Sequence, residues 1–330
     1  MKHWTEPNGN FIVNIPIEWQ YKNAVFESIE EKSPFSFESY ENSVGCFQLS
    51  SYSLKEKGIN PKLPLQKCDS KIDWLVSRMD DDEFDVWLYH AQVDDLLCMA
   101  KYIYDSKNRN KKEILEQLDK VKIALESFRV IPKSDRMLAS NLSKYDNFQA
   151  SLAASYDLLE NAYLNNSHIE LVAILANQID AFLRLSIVLQ QQLNDRTNNI
   201  EIKYLFQEDI DNSGVSERAI YSKAKNLGII DNELFKELNS LYSLRNRVIH
   251  RYIISFIKTR DIAKIAFDYT FLCEKIRLIL GKVEEKQFGT GFGIYGKGYK
   301  RDDIFTEPDY RRAMSWINDK HLLEKLKRKL

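Results

Sequence analysis

The sequence predicts an α+β protein in which an antiparallel-sheet α/β sandwich precedes an all-helical bundle and a C-terminal helix. Before residue 132, apolar and polar residues alternate in several short segments, as they do in half-buried strands. Beyond Pro132, apolar residues recur every three to four positions over long segments, as in packed helices. Because a proline disfavours continuing the preceding helix, the segment 130–135 is predicted to join the two parts.

The first part, residues 1–132, is predicted to begin with a strand at 11–15, which ends where Pro16 removes a backbone donor. The order of its elements resembles the PsbP-like α/β/α sandwich. Because this part shows no convincing catalytic set of residues, it is expected to be a sensing, docking or regulatory domain. The acidic run 80–85 lacks the glycine and the terminal glutamate of a calcium loop, and this favours a solvated turn. The remaining strands and the closing helix are expected at 36–40, 44–52, 84–90, 96–105 and 111–128.

The second part, residues 133–285, is predicted to be a bundle of four or five helices. Gly228 is expected to end one helix and Asp231 to cap the next. Residues 286–330 follow as an aromatic and glycine-rich loop with a basic helix at 309–330. The expected helices of the bundle cover 142–165, 168–194, 216–227, 231–253 and 261–280.

The composition of the chain limits the classes of function that it can have. The chain has 330 residues with 47 basic and 48 acidic side chains, a net charge of −1, so any contact with nucleic acid must come from a local patch. Hydrophobic residues at 44 % and charged residues at 29 % exclude a disordered chain or a collagen-like one. The four cysteines lie too far apart for a zinc knuckle or a CxxC pair, so we expect no metal site and no cofactor.

A soluble, cytoplasmic protein with reduced thiols is expected. The first residues lack the apolar core of a secretion signal. The most apolar stretch, 171–189, contains Asp180 and Arg184, so no membrane partner is expected.

The most informative segment is 244–252, with the sequence LRNRVIHRY. Arg245 interrupts an apolar stripe and must reach water, a carboxylate or an anion, since leaving it buried and unpaired is costly. Asn246 and His250 are four residues apart and share one face of a helix. Five basic and no acidic residues occupy 244–260. A cation, an amide and an imidazole are therefore expected on one patch, which suits phosphate chemistry.

A purely structural role for these residues remains open. Arg245 would then pair with an acid from another helix, for which Asp180 is a candidate. His250 would donate its N–H group to a neighbouring carbonyl.

The motif also resembles a known family. Arg245, Asn246 and His250 fill the positions of the signature of HEPN domains, an arginine followed by four to six residues and a histidine. Tyr252 matches a tyrosine found two places after the histidine in HEPN toxins of nucleotidyltransferase-paired systems. The resemblance covers about residues 135–280. It implies a metal-independent endoribonuclease that works as a homodimer through the helical bundle, with the motif of each protomer facing a shared cleft.

The chemistry of these side chains fits that activity. A neutral His250 would take the proton from an RNA 2′-hydroxyl, which then attacks the adjacent phosphorus. Arg245 would hold the non-bridging oxygens, and Asn246 would orient the phosphate or the imidazole. The products would be a 2′,3′-cyclic phosphate and a 5′-hydroxyl, and DNA would survive because it lacks the nucleophile.

Residues around the motif have less specific roles. Arg247, Arg251 and Lys258 are expected to bind flanking RNA phosphates and make binding salt-dependent. For the two arginines, a solvated helix face is an equal alternative. Tyr252 would be a modification target, would line the site, or would pack in the apolar stripe, which is expected to continue to Phe256.

The glycine-rich segment contains Gly291, Gly293 and Gly296 in a GxGxxG pattern. A dinucleotide site needs a strand before this pattern and a helix straight after it, and neither is expected here. A loop leading to the basic helix at 309–330 is favoured, and that helix would pack on the bundle or contact RNA.

The sequence thus predicts an endoribonuclease, a toxin or phage-defence effector, with RNA as its substrate and an antitoxin or another regulatory protein as a possible partner. Two alternatives remain. One is a non-catalytic HEPN-like dimer that binds RNA or nucleotide or serves as a scaffold. The other is a neutralising partner in a toxin–antitoxin pair.

Overall fold

The computed structural model describes residues 1–23, 32–39, 44–55, 63–206 and 214–296. They divide into two compact units, and the division falls after Ser143. We call residues 1–143 the sheet unit and the described residues from Lys144 onward the bundle unit. The architecture is α+β, as the sequence predicts, with strands in the first unit and helices in the second.

The described part of the sheet unit has ten strands and helix α1, which covers Lys112–Ser127. The strands are β1 (Lys2–Thr5), β2 (Phe11–Ile15), β3 (Trp19–Tyr21), β4 (Phe35–Ser39), β5 (Cys46–Ser53), β6 (Leu65–Gln66), β7 (Leu75–Asp80), β8 (Phe84–Val93), β9 (Leu96–Asp105) and β10 (Arg129–Val130). Helix α1 packs against two of the strands, β2 and β9.

These strands form two sheets. The smaller has the order β1-β2-β10, and the larger has the order β3-β4-β5-β9-β8-β6, with β7 also paired to β8. Neighbours are antiparallel except β6 and β8, which are parallel. The longest ladder joins β8 to β9, from Phe84 opposite Asp105 to Val93 opposite Leu96. Asp94 turns the chain between them with a φ of 46°, a conformation that aspartate tolerates.

Aromatic side chains fill the core of the sheet unit. The ring of Trp4 lies 5.1 Å from that of Phe37, edge to face. The buried Trp19 donates its indole N–H to the Gln117 carboxamide on α1 at 2.7 Å, which satisfies a donor that burial removes from water. Trp74 contacts Phe128 edge-on at 5.2 Å. All four tryptophans of the described residues lie in this unit.

The bundle unit is built from helices. Its core surrounds α3, whose buried residues face α4, α5 and α6. The helices are α2 (Arg136–Leu164), which begins in the sheet unit, α3 (His168–Asp195), α4 (Glu217–Asn226), α5 (Asn232–Arg251) and α6 (Thr259–Gln287).

Helix α3 is long and apolar enough to cross a membrane, with a mean hydropathy of 1.6 over its most apolar window. Within the protein, 67 % of that window is buried. Leu175, Ile179, Leu183 and Ile187 are among the residues that it contributes to the core of the bundle. The apolar character of α3 is therefore used in helix packing.

Several periodic segments fold where the sequence places them, but α2 begins at Arg136, six residues before its predicted start. Strand β2 has the predicted bounds, and α3 and α4 begin and end within one residue of the predicted ones. Helix α5 ends at Arg251, two residues before the predicted end, and α6 continues seven residues beyond its predicted end. The predicted helix at 309–330 lies outside the described residues.

Candidate functional site

The predicted motif lies in the last two turns of α5. The carboxylate of Asp231 accepts a hydrogen bond from the Leu234 amide at 2.8 Å and caps the start of the helix, as predicted. A buried face then anchors α5 in the bundle unit, through Leu234, Leu238, Leu241 and Val248.

Arg245 is turned into the bundle unit, and its side chain is only 18 % exposed. Its Nη2 donates to Glu217 Oε2 at 2.6 Å. Its guanidinium carbon lies 4.8 Å from the ring centroid of Tyr242, a cation–π distance. Its Nε is buried without a hydrogen-bond partner in the described part of the chain. An acid from another helix and an aromatic face therefore hold the motif arginine.

Glu217 is the first residue of α4, next to the N-cap Ser216, whose hydroxyl accepts from the Ala219 amide. The Tyr221 hydroxyl donates to the second carboxylate oxygen of Glu217. Burial raises the pKa of Glu217 above its ordinary value, although Tyr221 and Arg245 favour the ionised form. No pattern in the sequence singles out this acid.

Asp180 does not take the place proposed for it as the partner of Arg245. Its Oδ2 accepts from Arg184 Nε at 2.6 Å, because the two residues are one helical turn apart on α3. Arg184 also donates to the carbonyls of Tyr204 and Val215 at 2.9 and 2.6 Å. Burial raises the pKa of Asp180, and the charge of Arg245 reaches it only as a weaker, opposing influence. The acid bound to Arg245 is Glu217.

Asn246 is half-buried and His250 is exposed. They are one turn apart on the same face of α5, as predicted. Neither side chain has a hydrogen-bond partner among the residues that the structure describes, so the carbonyl acceptor considered for His250 is not found there. Arg245 precedes His250 by five residues, which is about 140° around the helix axis. Within one chain, Arg245 is paired and mostly buried while the imidazole is exposed, so the two do not form the single exposed patch expected.

The basic residues beyond the motif are exposed. Arg247, Arg251 and Lys258 lie at the surface, and none of the three forms an ion pair with another described residue. Arg260 approaches Asp261 at 3.9 Å. These side chains are placed where they can meet an anion from solution.

The connection between α5 and α6 carries large apolar side chains into solvent. Ile253, Ile254 and Phe256 are 93 %, 82 % and 101 % exposed, and Tyr252 is 41 % exposed. The expectation that the apolar stripe continues to Phe256 is wrong, because α5 ends at Arg251 and the helical period is lost there. We call residues 252–258 the apolar connection.

The glycine-rich segment is bound to the bundle unit by Gln287, the buried last residue of α6. The carboxamide nitrogen of Gln287 donates to the Leu189 carbonyl and to the Gln192 side chain, both at 3.0 Å. Its carboxamide oxygen accepts from the Tyr295 amide at 3.1 Å.

Gly293 and Gly296 are both tight positions of this loop, and a Cβ at Gly296 would lie 1.8 Å from the Phe292 carbonyl oxygen. The Gly293 amide donates to the Asn198 side chain at 2.8 Å. A Cβ at Gly293 would lie 2.7 Å from the carboxamide of Gln287. A helix precedes the loop and its amides bind within the unit, so the loop lacks the strand–turn–helix geometry of a dinucleotide site.

The sheet unit offers no comparable constellation among its described residues. The acidic run forms the turn between β7 and β8, where the Asp81 amide donates to the Phe84 carbonyl at 3.1 Å. Arg109 contacts the fully buried Asp85 at 2.5 Å and holds the pKa of that carboxyl below its usual range. Asp80 binds Arg78 at 2.6 Å.

Neither a metal centre nor a reactive thiol is found in the described residues. No group of three or more His, Cys, Asp or Glu side chains is arranged there to hold a metal ion. The four cysteines form no disulfide. Burial raises the pKa of Cys98 and Cys273 to about 12, so these thiols stay protonated at neutral pH.

Comparison with known proteins assigns no family. No family model matches the chain, and no curated protein matches it. A solved structure from Bacteroides thetaiotaomicron VPI-5482 aligns at 12 % identity over 75 % of this chain and 79 % of that one, with a TM-score of 0.29. A likeness this low supports no inference about fold or function.

Proposed function

We propose that the protein is a metal-independent endoribonuclease of the HEPN type, serving as a toxin or a phage-defence effector. The observation that carries the proposal is the end of α5, where His250 is exposed, Asn246 shares its face and the surrounding segment is basic without an acid. Such a surface attracts a phosphate backbone and presents an imidazole, which is the most common general base of enzymes.

In the proposed reaction, His250 accepts the proton of an RNA 2′-hydroxyl, and the oxygen attacks the adjacent phosphorus. The bond to the 5′-oxygen of the next nucleotide breaks, and that oxygen takes up a proton from the protonated His250 or from water. The products are a 2′,3′-cyclic phosphate and a 5′-hydroxyl. Arg245 stabilises the charge on the non-bridging oxygens, and Asn246 orients the phosphate. Arg247, Arg251 and Lys258 bind flanking phosphates.

A homodimer completes the proposed site. Since Arg245 and His250 lie on different sides of α5, a second protomer is needed to bring another motif to the same phosphate. The exposed Ile253, Ile254 and Phe256 of the apolar connection supply apolar surface for that association. The sheet unit would sense, restrain or dock, with an antitoxin or another regulatory protein as a partner.

One observation favours a second candidate, a non-catalytic dimer that binds RNA or nucleotide. The guanidinium of Arg245 is already bound by Glu217, as it would be in a structural ion pair. Such a protein would bind RNA through its exposed basic residues without cleaving it.

Cleavage of RNA by the purified protein in excess EDTA tests the proposal. We expect the wild type to produce 2′,3′-cyclic phosphate ends and to leave DNA intact, and we expect His250→Ala to lower cleavage by about 100-fold or more, since it removes the general base. Equal cleavage by both proteins would show that His250 is not the base. RNA binding without cleavage by the wild type would favour the second candidate.

A further inference from the structure

Glu217 already accepts from one of the guanidinium nitrogens of Arg245, Nη2, to which an incoming phosphate would bind. One carboxylate oxygen binds Arg245 Nη2 at 2.6 Å, while Tyr242 covers a face of the guanidinium at 4.8 Å. Carboxylate and phosphate oxygens are alternative acceptors for the same N–H groups, and both form strong charge-assisted hydrogen bonds with arginine. The two anions therefore compete for this cation.

We propose that Glu217 is an intramolecular competitor for the RNA phosphate, so that RNA binds Arg245 only as the Glu217 carboxylate is displaced. This inference rests on the proposed function, because it requires Arg245 to receive a phosphate.

The position of Glu217 makes its displacement feasible. It is the first residue of α4, where the amides at the helix N-terminus favour a negative charge. The Tyr221 hydroxyl binds its other oxygen. A carboxylate that leaves Arg245 therefore keeps two stabilising influences.

Protonation would also end the competition. The charged and titratable groups that act on Glu217 come from four helices: Asp180 on α3, Tyr221 on α4, Arg245 on α5 and Tyr269 on α6. Burial is the main cause that raises the pKa of Glu217, and the negative charge of Asp180 raises it further by a smaller amount. The Tyr221 hydroxyl and Arg245 act in the opposite direction. Uptake of a proton by Glu217 would thus be a second way to free Arg245 for the phosphate.

Binding of an uncleavable RNA tests this inference. The probe is a fluorescently labelled single-stranded RNA with methylated 2′-hydroxyls, titrated with full-length protein and followed by anisotropy. Glu217→Gln keeps the shape of the side chain and removes its charge, and we expect it to tighten binding about 5- to 30-fold. Glu217→Asp keeps the charge but draws the carboxylate back by one methylene, so its affinity should lie between those of the wild type and Glu217→Gln.

Two controls separate competition at Arg245 from a general loss of negative charge. The gain in RNA affinity caused by Glu217→Gln must vanish when this substitution is combined with Arg245→Ala. Glu233→Gln makes the same substitution at an exposed position of α5, about 18 Å along the helix from Arg245, and should leave affinity unchanged. Thermal melting of each variant establishes that it is folded, and Glu217→Asp serves as the test if Glu217→Gln does not fold.

The outcomes distinguish this inference from the proposed function. If His250→Ala abolishes cleavage but neither Glu217 variant tightens RNA binding, the proposed competition by Glu217 is wrong while the proposed ribonuclease activity is supported. A gain in RNA affinity from Glu217→Gln that persists in the presence of Arg245→Ala would also contradict the proposed competition. If neither Arg245→Ala nor His250→Ala affects binding or cleavage of RNA, the proposed function fails and this inference fails with it.

Discussion

Arg245 shows how far a single residue can be interpreted from the sequence. A cation in an apolar stripe must find water, a carboxylate or an anion, and the structure supplies the carboxylate of Glu217. The sequence indicates that Arg245 needs a partner but not which residue it is, because Glu217 lies 28 positions away and meets Arg245 only when α4 packs against α5. Asp180 is favoured by its place in an apolar helix, yet Arg184 is one turn away on the same helix and binds it first.

Asp180 should make the stability of the protein depend on pH. Its folded pKa is raised above the ordinary value of 3.8, so the folded state binds more protons than the unfolded state in the range above that value. The contribution of Asp180 to the free energy of unfolding is therefore largest in acid and is lost as pH rises through the raised pKa. Asp180→Asn removes this dependence, and its stability relative to the wild type should increase from acid to neutral pH in urea titrations.

Asp195→Asn is the matched control, because it makes the same substitution at an exposed position on the same helix. Its stability relative to the wild type should vary less with pH than that of Asp180→Asn. Parallel pH profiles for the two variants would contradict the role of burial at Asp180.

At the scale of elements, the sequence predicts those with a clear period. Strand β2 and helices α1 and α3 bury one side or most of their surface, so their apolar residues recur at 2.0 or 3.6 positions. Strand β7 gives no such signal because all six of its residues are exposed. It forms by pairing with β8, a long-range contact that no local pattern records.

The glycine loop after α6 allows backbone strain to be separated from steric clash. Gly289 and Gly293 have φ values of 78° and 79°, but a Cβ at Gly289 meets no atom within 4 Å, whereas one at Gly293 meets the Gln287 side chain. We expect Gly289→Ala to lower the free energy of unfolding by about 1 kcal/mol through its left-handed conformation alone. Gly293→Ala should cost about 1 to 3 kcal/mol more because of the clash.

Chemical denaturation of both alanine variants measures these differences. Restoring space with Gln287→Ala in the Gly293→Ala background should recover part of the extra loss. Equal losses for the two single variants would mean that Gln287 does not confine the loop.

At the scale of the whole molecule, the sequence predicts two parts of different architecture but does not predict which apolar side chains remain exposed to solvent. The sequence predicts that the helical period of α5 continues to Phe256. In the structure the helix ends at Arg251, and the Phe256 side chain is exposed to solvent. Hydrophobic residues side by side in sequence do not reveal whether their partner is this chain or another. Large exposed apolar surface in a protein indicates an interface.

The apolar connection should therefore govern self-association. In the proposed homodimer, Ile253→Asp places a charge in the interface of both protomers, and we expect the dissociation constant to rise about 100-fold or more. Analytical ultracentrifugation measures the mass, and RNA cleavage should fall together with the dimer. Ile123→Asp, at an exposed position of α1 in the sheet unit, is the control and should leave both unchanged.

A wild-type protein that is monomeric at every concentration would contradict the dimer. A dimer that Ile253→Asp does not weaken would place the interface outside the apolar connection.

The placement of the tryptophans gives the two units separate optical signals. Trp4, Trp19, Trp74 and Trp87 all belong to the sheet unit, and Trp316 lies outside the described residues. In a Trp316→Phe background, indole fluorescence therefore reports only on the sheet unit, while far-ultraviolet ellipticity is dominated by the helices of the bundle unit. Denaturation followed by both signals shows whether one cooperative transition or two separate ones unfold this chain, since coincident curves are the mark of a two-state system.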